Sequence, residues 1–162
     1  MRERAYNRVV VIVDNIRSLN NIGSLFRTAD AFGVEAIALC GICGTPPHRE
    51  IQKTALGATR SVPWNYYEKT MSAVKRYSES GYKIVAVEQT GDACDLARFP
   101  FEERGQYALI FGHEINGVAP DVIEASDLSL QIPQFGIKRS LNVAVTAGIV
   151  LWEFCGKRCE VK

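Results

Sequence analysis

The sequence has no long apolar run, no surplus of charge of either sign, no repeat or low-complexity tract, and only two histidines. Each absence excludes something. A membrane helix needs roughly 18 or more consecutive apolar residues, so a cytoplasmic protein without membrane contact is expected. A formal net charge of +1 leaves no polybasic tail, so a nucleic-acid partner would have to be met by a local patch. The basic residues gather toward the two ends of the chain and the acidic ones in its middle, so such a patch requires the ends to meet. The dinucleotide fingerprint G-x-G-x-x-G is missing, which argues against an ordinary Rossmann cofactor site. With no linker to divide them, 162 residues are expected to fold as one domain with a proper core.

The start, MRERAYNRVVVIVDN, sets basic residues before an apolar stretch, but Val9–Val13 is too short for the apolar part of a secretory leader. It reads as a buried strand. Five cysteines are present. Cys40-x-x-Cys43 and the pair Cys155 and Cys159 could together offer four thiolates to zinc. Cys40, however, ends a strand whose other residues are core, so buried thiols are the preferred account and no metal is expected.

Strands and helices alternate along the whole chain. Strands are expected at 9–13, 35–40, 62–66, 83–87, 107–111 and 128–132, and helices at 21–32, 48–56, 69–80 and 120–125. A last helix, apolar on nearly every side, begins at about Leu141 and includes Val145, Ile149, Trp152 and Phe154. Such a helix is expected to be buried. Strands written as continuous apolar runs and separated by helices predict a parallel α/β sheet covered on both faces.

In such sheets ligands bind beyond the carboxyl ends of the strands. The residues there are Asp14-Asn15, Glu88-Gln89-Thr90-Gly91, Gly112-His113-Glu114-Ile115-Asn116-Gly117 and Pro133-Gln134-Phe135-Gly136. Two polar constellations stand out. Ser140 and Asn142 sit at the mouth of the apolar helix, where an N-cap explains Ser140 but leaves Asn142 without a role. On the first helix, Asn20 or Asn21 is expected to cap, whereas Arg27 is either a surface charge paired with Asp30 or a functional group.

Three segments taken together, Asn21-Ile22-Gly23-Ser24-Leu25-Phe26-Arg27, Phe111-Gly112-His113-Glu114-Ile115-Asn116-Gly117 and Ile132-Pro133 followed by Ser140-Leu141-Asn142-Val143, resemble the three motifs of the SpoU (TrmH-like) RNA ribose methyltransferases of the SPOUT class. Their order and spacing match, and Lys53-Thr54-Ala55-Leu56-Gly57-Ala58 adds a fourth similarity. The resemblance implies a trefoil knot in the C-terminal segment, a homodimer, S-adenosylmethionine as cofactor, and methyl transfer to a ribose 2′-hydroxyl of RNA, with tRNA slightly favoured over rRNA. It implies catalytic roles for Arg27, Asn21, Glu114, Ser140 and Asn142. Cofactor contacts fall to Val87, Glu88, Gln89, Gly112, Gly117, Ile132 and Leu141. Many relatives carry an added RNA-binding domain, so this chain reads as a single catalytic domain over 1–162. Arg8, Arg17, Arg60, Lys138 and Arg139 are its candidate phosphate contacts.

An in-line displacement at a sulfonium methyl draws its acceleration largely from alignment and needs no metal. The alternatives are a catalytically silent RNA-binding protein of the same fold, a base-methylating member of the knotted class, and a flavodoxin-like regulator that would leave all three motifs unexplained.

Overall fold

The computed structural model describes residues 7–156. Within them lie the strands β1 (Arg8–Asp14), β2 (Ala36–Cys40), β3 (Trp64–Tyr67), β4 (Lys83–Val87), β5 (Cys94–Asp95), β6 (Gln106–Gly112) and β7 (Leu128–Gln131). They form one sheet in the order β3-β2-β1-β6-β4-β7-β5, and every pairing in it is parallel. The helices are α1 (Leu19–Phe32), α2 (Arg49–Ala55), α3 (Thr70–Glu79), α4 (Pro120–Glu124) and α5 (Val143–Leu151), the last running into a wider-wound turn at Trp152–Gly156.

The continuous apolar run of β1 has the reason expected of it. Val9, Val11 and Val13 pack with residues of α1, α2 and α5, while Val10 and Ile12 pack with residues of α3 and α4 on the other face. A central parallel strand has no solvated side, so alternation would place polar groups in a core. Among the described residues, no helix is long and apolar enough to cross a membrane.

The expected elements are present, with ends displaced by a residue or two. The strand expected from Val62 begins at Trp64, because Val62 closes a 3-10 turn at Ala58–Arg60 with a hydrogen bond from its N–H to Ala58 O. Strand β5 was not anticipated. Its two residues are too few to carry any periodicity, and it exists through its pairing with β7.

Both expected caps are corrected. Ser18, not Asn20 or Asn21, caps α1, its Oγ accepting from Asn21 N at 3.1 Å. Asn142, not Ser140, caps α5: its Oδ1 accepts from Ala144 N at 2.8 Å and Val145 N at 3.3 Å. Ser140 lies further out, in an exposed loop. The burial expected of α5 is corrected as well. Ala147, Val150 and Leu151 are buried, but Leu141, Val145, Ile149 and Trp152 remain 41, 52, 39 and 51% exposed. At helical spacing Val145, Ile149 and Trp152 form one open apolar stripe, with Leu141 just before the helix.

The far end of α5 is held firmly. The Phe154 ring lies 4.8 Å from that of Phe99, 4.9 Å from Phe101 and 5.1 Å from Tyr107. Its carbonyl accepts from Asn7 Nδ2 at 2.9 Å, and Asn7 Oδ1 in turn accepts from Gly105 N at 3.0 Å. At the opposite end of β1 the buried Asp14 carboxylate accepts from Asn15 Nδ2, the Thr70 hydroxyl and Ala119 N, which joins α3 and α4 to the strand.

Cys40 and Cys43 are buried, and their thiols donate to the Ala38 and Val13 carbonyls. Among the described residues no three His, Cys, Asp or Glu side chains cluster as metal ligands; Cys159, named in the zinc alternative, lies outside those residues. Burial pushes the Cys40 thiol up to about 12, with Cys43 adding to it, and raises Cys43 for the same first reason. At pH 8 both thiols should therefore resist iodoacetamide in the native protein and react once it is unfolded, as read by mass spectrometry. Phe154→Ala should cost about 3–5 kcal/mol in a urea titration, since it empties an aromatic cluster.

Candidate active site

Four loops leave the carboxyl ends of β1, β4, β6 and β7 and converge. Three of them, with the first turn of α5, enclose a cavity of about 400 Å³, within the range of sites that hold nucleoside-sized ligands. After β6 the chain turns back on itself as His113 and Gly117 exchange N–H···O bonds of 3.0 and 2.8 Å. The loop then folds over Gly112 so closely that a Cβ there would stand 2.2 Å from the Gly117 carbonyl carbon and from Val118 N. Gly117 itself has φ +67°, and a Cβ on it would meet the Glu88 carboxylate at 2.0 Å. That space belongs to Glu88, whose Oε2 accepts from Val118 N at 2.8 Å and ties the β4 loop to the β6 loop. Inside the turn, His113 Nδ1 accepts from Ile115 N and Asn116 N at 3.1 and 3.2 Å. A ring nitrogen that accepts is unprotonated, so in this arrangement the proton of the neutral ring sits on Nε2.

Glu114 joins this wall to the first helix. Its two carboxylate oxygens accept from Arg17 N at 3.2 Å and Ser18 N at 2.9 Å. Burial, the largest influence on its pKa, acts to raise it. Hydrogen bonds from Ser18 N–H, its own N–H, Arg17 N–H and the Asn21 side chain outweigh burial, and the net displacement is downward. One turn into α1, Asn21 Oδ1 accepts from Asn142 Nδ2 at 3.2 Å. Residues far apart in the chain thus form a single hydrogen-bonded series, Ser18 to Glu114 and Asn21 to Asn142.

A sequence model of the SpoU rRNA methylase family matches residues 8–152. The chain belongs to that family. Among its SpoU-type relatives, an Aquifex aeolicus protein named tRNA (guanosine(18)-2'-O)-methyltransferase is 29% identical over 98% of this chain and 74% of its own length. A mouse protein of the same activity name is 31% identical over 93% of this chain but only 10% of its own length. A Neisseria meningitidis 23S rRNA (guanosine-2'-O-)-methyltransferase is 30% identical over 90% of this chain and 57% of its own. The chain thus spans from a tenth to about three quarters of these curated relatives. The crystal structure of an AdoMet-bound rRNA methyltransferase from Sinorhizobium meliloti superposes with a TM-score of 0.84 at 26% identity, covering 91% of this chain and 56% of that one.

The SpoU-like residues singled out from the sequence fall in different places. Val87, Glu88, Gln89, Gly112, Gly117, Ile132 and Leu141 line the cavity, as do Glu114, Ser140, Asn142 and Arg139. Asn21 stands just behind it, bonded to Asn142. Arg27 is not part of the lining. Six residues beyond Asn21, it stands about 9 Å further along α1 and is turned by about 120°, exposed and with no ion pair to Asp30, whose Oδ1 instead accepts from Ser61 at 2.6 Å. Arg8 sits at the other end of the sheet, paired with Glu35 at 2.9 Å and over the Tyr82 ring. Arg17, Arg60 and Lys138 are exposed, Arg17 close to the cavity through its backbone bond to Glu114.

No sequence signal marks His113 as organising the turn, since its partners are the N–H groups of its own loop. Gln134 and Thr146 also line the cavity without having been assigned a site role; their positions, just past β7 and one turn into α5, were the available signal.

Asn142→Ala removes a cap and should lower stability by about 1 kcal/mol, whereas Asn142→Asp keeps the cap oxygen and loses only the donor to Asn21; thermal melts of both separate the two bonds. Because the Glu114 pKa is lowered by folding, its contribution is present above the ordinary carboxylate range and is lost as pH falls through the lowered value. Glu114→Gln should therefore be less stable than wild type at neutral pH, with the difference closing below about pH 4.

Proposed function

We propose that this chain transfers the methyl group of S-adenosylmethionine to a ribose 2′-hydroxyl of structured RNA, with tRNA favoured in keeping with the names of the Aquifex and mouse relatives. The observation that carries the proposal is the meeting of two of the motif segments around one cavity, with Asn21 of the third behind it, hydrogen-bonded to Asn142 and to Glu114. When bound, the cofactor would supply an electrophilic sulfonium methyl: the oxygen–carbon bond would form as the carbon–sulfur bond breaks, the thioether S-adenosylhomocysteine would leave, and the hydroxyl proton would pass to water.

In this reading the adenosine is held by the backbone around Gly112, Ile132 and Leu141, three residues that line the cavity. Glu88 keeps the β4 and β6 loops together. Ser140 and Asn142 stand where a ribose would enter, and their polar groups hold and orient it, so that alignment does much of the work. We assign Arg27 to a substrate phosphate, because a guanidinium does not give up its proton at neutral pH and presents a planar fork to an anion.

The same reading includes a trefoil knot in the C-terminal segment, a homodimer and a single catalytic domain. The open stripe Val145, Ile149 and Trp152, with Leu141 just before the helix, supports the dimer, since a second copy would take that apolar surface from water. Leu141 also belongs to the cavity lining, so a partner seated there stands at the mouth of the site. Arg27, turned away from its own cavity, then serves the partner's.

The test is direct. Wild-type protein with labelled S-adenosylmethionine should methylate unmodified tRNA transcripts at ribose, and Arg27→Ala should reduce transfer at least about 100-fold while calorimetry still finds cofactor binding. Mixed dimers of Arg27→Ala with Asn142→Ala should regain activity that neither variant has alone. A wild-type protein that binds RNA but neither binds S-adenosylmethionine nor transfers methyl would instead be the silent relative.

A further inference from the structure

The loop between β7 and α5 carries two side chains that the fold does not use. Phe135 and Ile137 are each 97% exposed. Nothing lies within 4 Å of where a Cβ on the intervening Gly136 would sit, so this part of the loop stands clear of the rest of the molecule. A fully exposed phenylalanine gains nothing from folding. The same loop supplies Gln134, Arg139 and Ser140 to the cavity wall, so the exposed ring stands at the rim of the site rather than on a distant face. Lys138 and Arg139 follow directly, both exposed and without an ion pair among the described residues.

We infer that Phe135 is a stacking platform for an unpaired base of the RNA substrate, with Lys138 and Arg139 on the adjoining phosphates; this rests on the proposed reading of the cavity as the site of ribose methylation. The chemistry follows from the shape of the substrate. A ribose whose 2′-hydroxyl enters the cavity must leave its helix or come from a loop, and its base, or that of a neighbour, loses its stacking partners. Single-stranded RNA is held in this way, by aromatic faces for the bases and cations for the backbone. An aromatic ring next to two unpaired cations, on a loop that also lines the reaction cavity, provides both. A second copy of this chain would also cover an exposed ring, but two adjacent like charges without an acidic partner suit a phosphate backbone better.

The experiment compares wild type with Phe135→Ala, Phe135→Leu and Phe135→Trp. RNA binding is measured by fluorescence anisotropy with unmodified tRNA and rRNA transcripts in the presence of S-adenosylhomocysteine. Cofactor binding is followed by calorimetry and molecular mass by sedimentation equilibrium. Phe135→Ala should weaken RNA binding about 10- to 100-fold, Phe135→Leu should recover little, and Phe135→Trp should bind as well as wild type. Cofactor affinity and mass should not move. Wild-type binding by Phe135→Ala or Phe135→Leu overturns the inference, as does a wild type that binds neither RNA. So does a loss accompanied by a change in mass, which would make Phe135 a subunit contact. If RNA binding depends on Phe135 but wild type transfers no methyl, the enzymatic reading fails and the stacking platform stands.

Discussion

The site depends on one carboxylate accepting two backbone N–H groups. Helix α1 has no acidic residue in its first turn, although the positive end of a helix favours a negative charge nearby. Glu114 supplies that charge from the loop after β6, nearly a hundred residues further along the chain, through Arg17 N and Ser18 N. In doing so it fixes where α1 begins. The start of α1 fixes Asn21, Asn21 meets Asn142, and Asn142 starts α5. This contact joins α1 to the β6 loop, as Glu88 joins the β4 loop to it.

The sheet explains why those loops can meet. β1 and β6 are adjacent and in register from Arg8 opposite Gln106 to Asp14 opposite Gly112, so their ends are level and their loops begin together. β4 and β7 continue the row. Parallel strands place all their carboxyl ends on one side. The position of a functional site is thereby set before any functional side chain is chosen. Asp14, one residue before the loop, is spent on holding α3 and α4; the catalytic candidates come from the loops and helix starts beyond it.

Much of the fold was legible in the sequence because the central strands are buried on both faces and must be apolar throughout. The short edge strand β5 was not, since pairing with β7 makes it a strand and its own two residues do not. The site was legible as a set of motif segments, but not as roles within them. Ser140 resembles a cap and is not one, because the chain enters α5 two residues later than the apolar run suggests. Asn142, which had no structural explanation in the sequence, turns out to have the stronger one. The apolar pattern of α5 describes a helix with its whole circumference covered; only part of it is buried, and composition that is apolar all round does not say which face stays open.

The turn from Gly112 to Gly117 has a consequence for how such a protein can diversify. At Gly112 and Gly117 it leaves no room for a side chain, and it is fastened by Glu88 and His113. Ile115 and Asn116, at the tip of the turn, are exposed and reach the edge of the cavity. Changes at those two positions alter what the rim offers to a substrate without reshaping the wall behind it. The rim of this turn can therefore vary in sequence while the hydrogen bonds that hold the wall behind it stay as they are.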